Sequence, residues 1–143
     1  MIAVSTGKSP HRDCELPAPT PQPYRDHLIG KVEREDGVVE DPIVDDQSVV
    51  VETDNGLALV LGCCHAGLRN TVEHAEAVCD GDVRYIIGGT HLIAMDSEEI
   101  HAIADWLAGK LDLLVGAHCT GTAATGMLTE RLPEIFEPAG VGK

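Results

Sequence analysis

The stretch Leu57-Ala58-Leu59-Val60-Leu61-Gly62-Cys63-Cys64-His65-Ala66-Gly67-Leu68 decides how the rest of the chain is read. Five consecutive apolar residues ending at a glycine predict a strand. From Leu68 the period changes: Leu68, Val72, Ala75 and Cys79 recur at helical spacing with polar residues between them, and Asp80-Gly81 supplies a stop. The unit is therefore strand, glycine-flanked polar exit carrying a histidine, then helix. Immediately upstream, Ser48–Asp54 contains Val49-Val50-Val51 and leads through Asp54-Asn55-Gly56 back into Leu57, which predicts a hairpin.

Downstream the unit recurs twice. Val83 to Gly88 reads as a strand with Gly89-Thr90-His91 as its exit. Asp96 followed by Glu99 resembles a capping box, opening a helix whose apolar stripe is Ile100, Ile103, Ala104 and Leu107, with Glu98 and Asp105 outward. Leu111 to Gly116 is the third strand, Ala117 to Gly121 its exit, and a helix follows from about Thr122 to Leu132, where Pro133 stops it. Short apolar strands alternating with helices predict an α/β layered sheet with right-handed crossovers. The tail from Phe136 to Lys143 carries no clear pattern.

Residues 1–47 hold six of the eight prolines and little helical periodicity, so they read as a proline-rich, extended, loop-rich arm. Residues 48–143 carry the repeated units, and 143 residues suffice for a single domain comprising both parts. No run of about 18 apolar residues and no charged-then-apolar leader is present, so neither membrane insertion nor export is expected and the cytoplasm is the default compartment. Five cysteines, two of them adjacent, do not resemble the paired framework of a small secreted domain, and reduced thiols are expected. A net charge of −14, with ten Lys plus Arg against 24 acidic residues, argues against nucleic acid or an anionic membrane as partner. The same balance suits a protein working in concentrated salt, where screening removes self-repulsion.

His65, His91 and His118 occupy the same place in their respective units. Loops leaving the carboxyl ends of parallel strands line one edge of an open α/β sheet, where such sheets bind ligands, so the three side chains are expected to converge. Gly62, Gly67, Gly88, Gly89, Gly116 and Gly121 crowd this edge and allow sharp exits. Neutral imidazole suits zinc, and iron as well, so the three histidines form a candidate metal site. Cys64 and Cys119 flank two of them and are candidate thiolate ligands. On an extended segment, however, neighbours point to opposite faces, which turns both toward the core. Cys63 and Cys79 read as small buried hydrophobes. His74 and His101 on helices, and His11 and His27 in the arm, read as structural or solvated. Asp45 and Asp46 are candidates to orient a histidine from behind, or else form a solvated turn.

The runs Asp45-Asp46-Gln47, Gly56-Leu57, Gly62-Cys63-Cys64-His65-Ala66-Gly67 and Asn70-Thr71 resemble the later half of the metallo-β-lactamase-fold hydrolases. Gly88-Gly89-Thr90-His91-Leu92 and Gly116-Ala117-His118-Cys119-Thr120-Gly121 continue the likeness in the same order. More narrowly, the set is similar to the branch that includes the dihydropterin-ribofuranosylaminobenzene-phosphate synthases, whose N-terminal arm corresponds to the region of Thr6-Gly7 and Glu15.

The resemblance implies half of an αββα sandwich: a mixed sheet with flanking helices. It also implies that His65 is the ligand of the third metal-binding motif, that His118 is the final histidine ligand, and that His91 stands where the wider superfamily has a bridging aspartate. The His-x-His-x-Asp-His run of the first half is absent from this sequence. What the resemblance implies is a metal-dependent hydrolase of small molecules, with zinc as its metal and iron or manganese as alternatives. Such an enzyme would be completed by a separate first-half chain or a second copy. The competing expectations are a non-catalytic truncated relative serving as a metal-binding or interaction module, and a small metal sensor using Cys64 or Cys119.

Overall fold

The computed structural model of the chain describes residues 2–5, 31–40 and 46–140. Its elements are β1 (Ile2–Ser5), β2 (Lys31–Arg34), β3 (Gly37–Glu40), β4 (Gln47–Thr53), β5 (Gly56–Leu61), α1 (Leu68–Cys79), β6 (Val83–Gly89), α2 (Ser97–Leu107), β7 (Leu113–Ala117), α3 (Thr122–Arg131) and β8 (Phe136–Pro138). Short 3-10 turns cover Leu92–Ala94 and His118–Thr120.

A six-stranded mixed sheet runs in the order β1-β4-β5-β6-β7-β8. The predicted hairpin is present, with Val50 opposite Leu59 and Thr53 opposite Gly56. From β5 onward every pairing is parallel, as expected when each strand returns through a helix. Gly88 is fixed by this arrangement: its φ is +132°, and a Cβ there would collide with the Leu61 carbonyl of the neighbouring strand.

Alternation along the strands, with a register shift in β6 between Val83 and Tyr85, sends Val50, Leu57, Leu59, Leu61, Val83, Ile86 and Leu114 to the core, where all are buried. They join Leu68, Val72 and Ala75 of α1, Ile100, Ile103, Ala104 and Leu107 of α2, and Ala124 and Leu128 of α3 in one core. The capping box of α2 is in place: Asp96 accepts from the Glu99 N–H at 3.0 Å, and Glu99 accepts from the Asp96 N–H at 2.8 Å.

Among the described residues, no helix packs on the opposite face. Two apolar rows cross it in register, Val49–Val60–Ile87–Val115 and Val51–Ala58–Tyr85–Leu113. Val51, Val60 and Ile87 are 37 %, 40 % and 42 % exposed, so large apolar side chains on three adjacent strands face outward.

Three sequence expectations change. The tail read as patternless contributes β8, because Phe136 packs over Gly116, where a Cβ would lie 2.7 Å from the ring. The third strand begins at Leu113 rather than Leu111; Leu111 is already in the core, and the Asp112 N–H donates to the Arg84 carbonyl at 2.8 Å. Within the arm, Ile2–Ser5 adds an antiparallel strand beside β4, and β2 with β3 forms a hairpin of its own. The proline cluster and Asp45 lie outside the described residues. Among the described residues, no helix is long and apolar enough to cross a membrane.

Candidate metal centre

Each parallel strand from β5 to β7 exits through a residue in the left-handed region: Cys64 at φ 62°, His91 at φ 53° and His118 at φ 48°. Among the described residues the remaining non-glycine with positive φ is Asp80, the C-cap of α1. Such conformations cost on the order of 1–3 kcal/mol each and persist where surrounding contacts over-determine them. Those contacts are present. The Gly89 N–H donates to the Gly62 carbonyl at 3.1 Å, tying the first exit to the second. The His91 N–H donates to Cys119 Sγ at 3.2 Å, and that thiol donates to the Cys63 carbonyl at 3.0 Å, so Cys119 joins all three exits. Thr90 Oγ1 donates to Thr120 Oγ1 at 3.0 Å in a buried pair. Gly89 allows the close approach, since a Cβ there would lie 2.8 Å from Cys119 Sγ.

On this braced edge the rings of His65 and His91 meet edge to face, their centroids 4.5 Å apart. His65 Nδ1 is buried and, among the described residues, has no hydrogen-bond partner. Leaving a buried polar atom unpaired costs about 1–3 kcal/mol, which ligation of a cation would offset. Asp46, 7 % exposed, accepts from the Ala66 N–H at 3.1 Å and so holds the backbone beside His65. Burial lowers the His91 pKa, aided by the charges of His65 and His118 and opposed by Asp46, a shift that favours the neutral ring a ligand needs.

Among the described residues two donor groups could hold an ion, each with its ligand atoms within 4.8 Å of one another: Cys63, His65 and His91, and Cys63, His118 and Cys119. His65 and His91 therefore share one group, and exposed His118 connects to them through Cys63. Cys64 is fully buried and donates to Thr71 Oγ1 at 3.3 Å, away from the histidines. Cys119 is buried, as its place beside His118 predicts, but through the 3-10 turn at His118–Thr120 and not through strand alternation, and its thiol lies behind the exits.

Sequence reasoning missed Cys63, read as a buried hydrophobe: it is partly exposed, and its Sγ stands 3.7 Å from His91 Nδ1. The signal was available. The alternation that turns Cys64 away from His65 puts Cys63, one residue further back, on the histidine side. Burial, reinforced by Cys119, pushes the Cys63 thiol up to about 12, and burial does the same to Cys64. The donor set of imidazoles and thiols, with an unpartnered buried imidazole nitrogen among them, suits a transition-metal ion.

No family model matches the sequence. Among curated proteins, the chain is 35% identical over 119 residues to the 7,8-dihydropterin-6-methyl-4-(β-D-ribofuranosyl)-aminobenzene-5′-phosphate synthase of Methanocaldococcus jannaschii, a match covering 80% of this chain and 40% of that protein. An uncharacterized protein of the same archaeon is 27% identical over 92 residues, covering 64% and 34%. Among solved structures, Tm1679, described as a metal-dependent hydrolase of the β-lactamase superfamily, superimposes with a TM-score of 0.72 at 25% sequence identity, over 86% of this chain and 50% of that one. The chain thus spans half or less of the length of the proteins it matches.

Proposed function

Because this chain belongs to the metallo-β-lactamase superfamily, we propose that it carries part of the metal centre of a metal-dependent hydrolase acting on a small molecule, with His65, His91 and His118 as ligands. The observation that carries the reading is the pairing of His65 with His91 at 4.5 Å beside a buried, unpartnered His65 Nδ1. A bound divalent ion would act as a Lewis acid on the scissile bond and acidify a water molecule. The chain's own residues hold and orient. Asp46 fixes the backbone at Ala66, Cys119 ties the three exits, and exposed His118 lies within ligand reach of Cys63 and Cys119. Zinc is the proposed metal, with iron or manganese as alternatives. The free thiols at Cys63, Cys64, Cys79 and Cys119 suit a reducing, cytoplasmic setting.

The centre is proposed to be incomplete in this chain. The sequence has no His-x-His-x-Asp-His run, and a hydrolase working with two metals needs more ligands than three histidines provide. The rows through Val60 and Ile87, which the described residues leave exposed, are where a complementing half, in another chain or a second copy, would seat. Elemental analysis of the purified chain, and hydrolysis of generic phosphodiester and lactone substrates with and without a complementing half, test this. Bound zinc and activity that His65→Ala with His118→Ala abolishes are expected; a metal-free chain that gains neither metal nor activity on complementation would refute it. The missing motif also favours a second reading, a non-catalytic metal-binding or interaction module. In that case the double variant leaves association intact and no hydrolysis appears under any condition.

A further inference from the structure

The atom common to both donor groups is a thiol. Cys63 Sγ lies within 4.8 Å of ligand atoms on His65 and His91 in one group, and on His118 and Cys119 in the other. Its separation from His91 Nδ1 is 3.7 Å. A sulfur and a nitrogen sharing a tetrahedral zinc, at bond lengths of about 2.3 Å and about 2.0–2.1 Å, stand roughly 3.6 Å apart. The same distance is long for a hydrogen bond, even one from a thiol.

The other nearby thiols are committed elsewhere. Cys64 is fully buried against Thr71, and Cys119 is engaged with the His91 N–H and the Cys63 carbonyl. That last contact holds the backbone that presents Cys63, which is partly exposed and so reachable by an ion.

We infer that Cys63 is itself a metal ligand, forming with His65 and His91 a one-sulfur, two-nitrogen set that favours zinc over manganese or magnesium. Thiolate is a soft donor that selects zinc-like ions, whereas manganese and magnesium prefer all-oxygen or oxygen-rich sites. On binding, the Cys63 S–H bond breaks, its proton passes to solvent and a sulfur lone pair forms the metal–sulfur bond, with no change of oxidation state. The inference rests on the metal-centre reading above and specifies its donor set.

Cobalt(II) substitution in the full chain, under reducing conditions, tests it. The expected spectrum has visible d–d bands of tetrahedral cobalt together with a near-ultraviolet thiolate-to-cobalt charge-transfer band. Cys63→Ser should remove the charge-transfer band, and Cys79→Ser, on α1 outside the site, should keep it. Loss of a supporting group at a metal site costs roughly 10–100-fold in affinity, so loss of this ligand should weaken zinc binding at least about a hundredfold. Visible bands without the charge-transfer band would overturn the thiolate ligand while leaving the metal-centre reading standing. No cobalt spectrum at all would overturn both. Should Cys63→Ser not fold, alkylation of the unmodified sequence followed by mass spectrometry decides the matter. Zinc protecting Cys63 but not Cys79 supports the inference, and equal labelling of Cys63 with and without zinc refutes it.

Discussion

Val50, Leu59, Ile86 and Leu114 are at most 1 % exposed beneath the helices, while Val60 and Ile87, next to two of them on the same strands, are 40 % and 42 % exposed on the other face. The two faces are built from the same kinds of residue, and among the described residues only one is covered by helices. An ordinary one-layer sheet carries polar side chains on its open face, giving the alternating pattern of a half-buried strand. Here Leu57-Ala58-Leu59-Val60-Leu61 is apolar throughout, as in a strand meant to lie between two layers. The comparison teaches that α1, α2 and α3 satisfy one half of that pattern, and the other half is what a second layer would bury.

The comparison breaks most visibly in stability. Leu59→Ala, on the covered face, should lower the unfolding free energy by about 2–5 kcal/mol, through lost burial and the cavity left behind. Val60→Ala, one residue along, should change it by no more than about 0.5 kcal/mol in the isolated chain. Urea titration of the two variants reads the difference; equal losses would mean that the second face is covered after all.

A second effect is on association. Val60→Lys with Ile87→Lys should leave the circular dichroism spectrum unchanged while lowering sedimentation-detected association and dye binding to apolar surface. A double variant that associates as strongly as the parent would place the contact elsewhere.

Much of the covered half was legible in the sequence. The change of period at Leu68, the Asp96/Glu99 capping box and the stop at Pro133 located the helices, and the equivalent placement of three histidines located the edge at which they lie. What escaped depends on tertiary context. Phe136 reads as an isolated aromatic until Gly116 is seen to make room for its ring. Strand alternation foresees that Cys119 is buried but not its contacts with the other two exits, because a left-handed residue and a 3-10 turn intervene. At Cys63 the same rule would have succeeded had it been carried one residue past Cys64. The face that the described residues leave exposed was foreseeable only through the family likeness, since an unbroken apolar run says that both faces are apolar and not which of them is covered.

The smallest expected effect is on pH dependence. Burial lowers the His74 pKa below its ordinary 6.5, so the unfolded chain takes up this proton more readily than the folded one. Its contribution to stability is full above pH 6.5 and falls as the pH drops from there toward the lowered folded value. His74→Gln should therefore flatten the decline of stability below pH 6.5 without removing it, because His91 is shifted in the same direction. An unchanged slope would show that His74 is as solvated in the folded chain as in the unfolded one.

The central claim is that the strand exits form one metal centre. Zinc titration followed through the imidazole proton–nitrogen NMR correlations tests it most directly. The account predicts that the His65, His91 and His118 signals move together and saturate at the same stoichiometric point, while those of His74 and His101 stay in place. Unmoved His65 and His91 signals, with zinc taken up only weakly and without saturation, would contradict it.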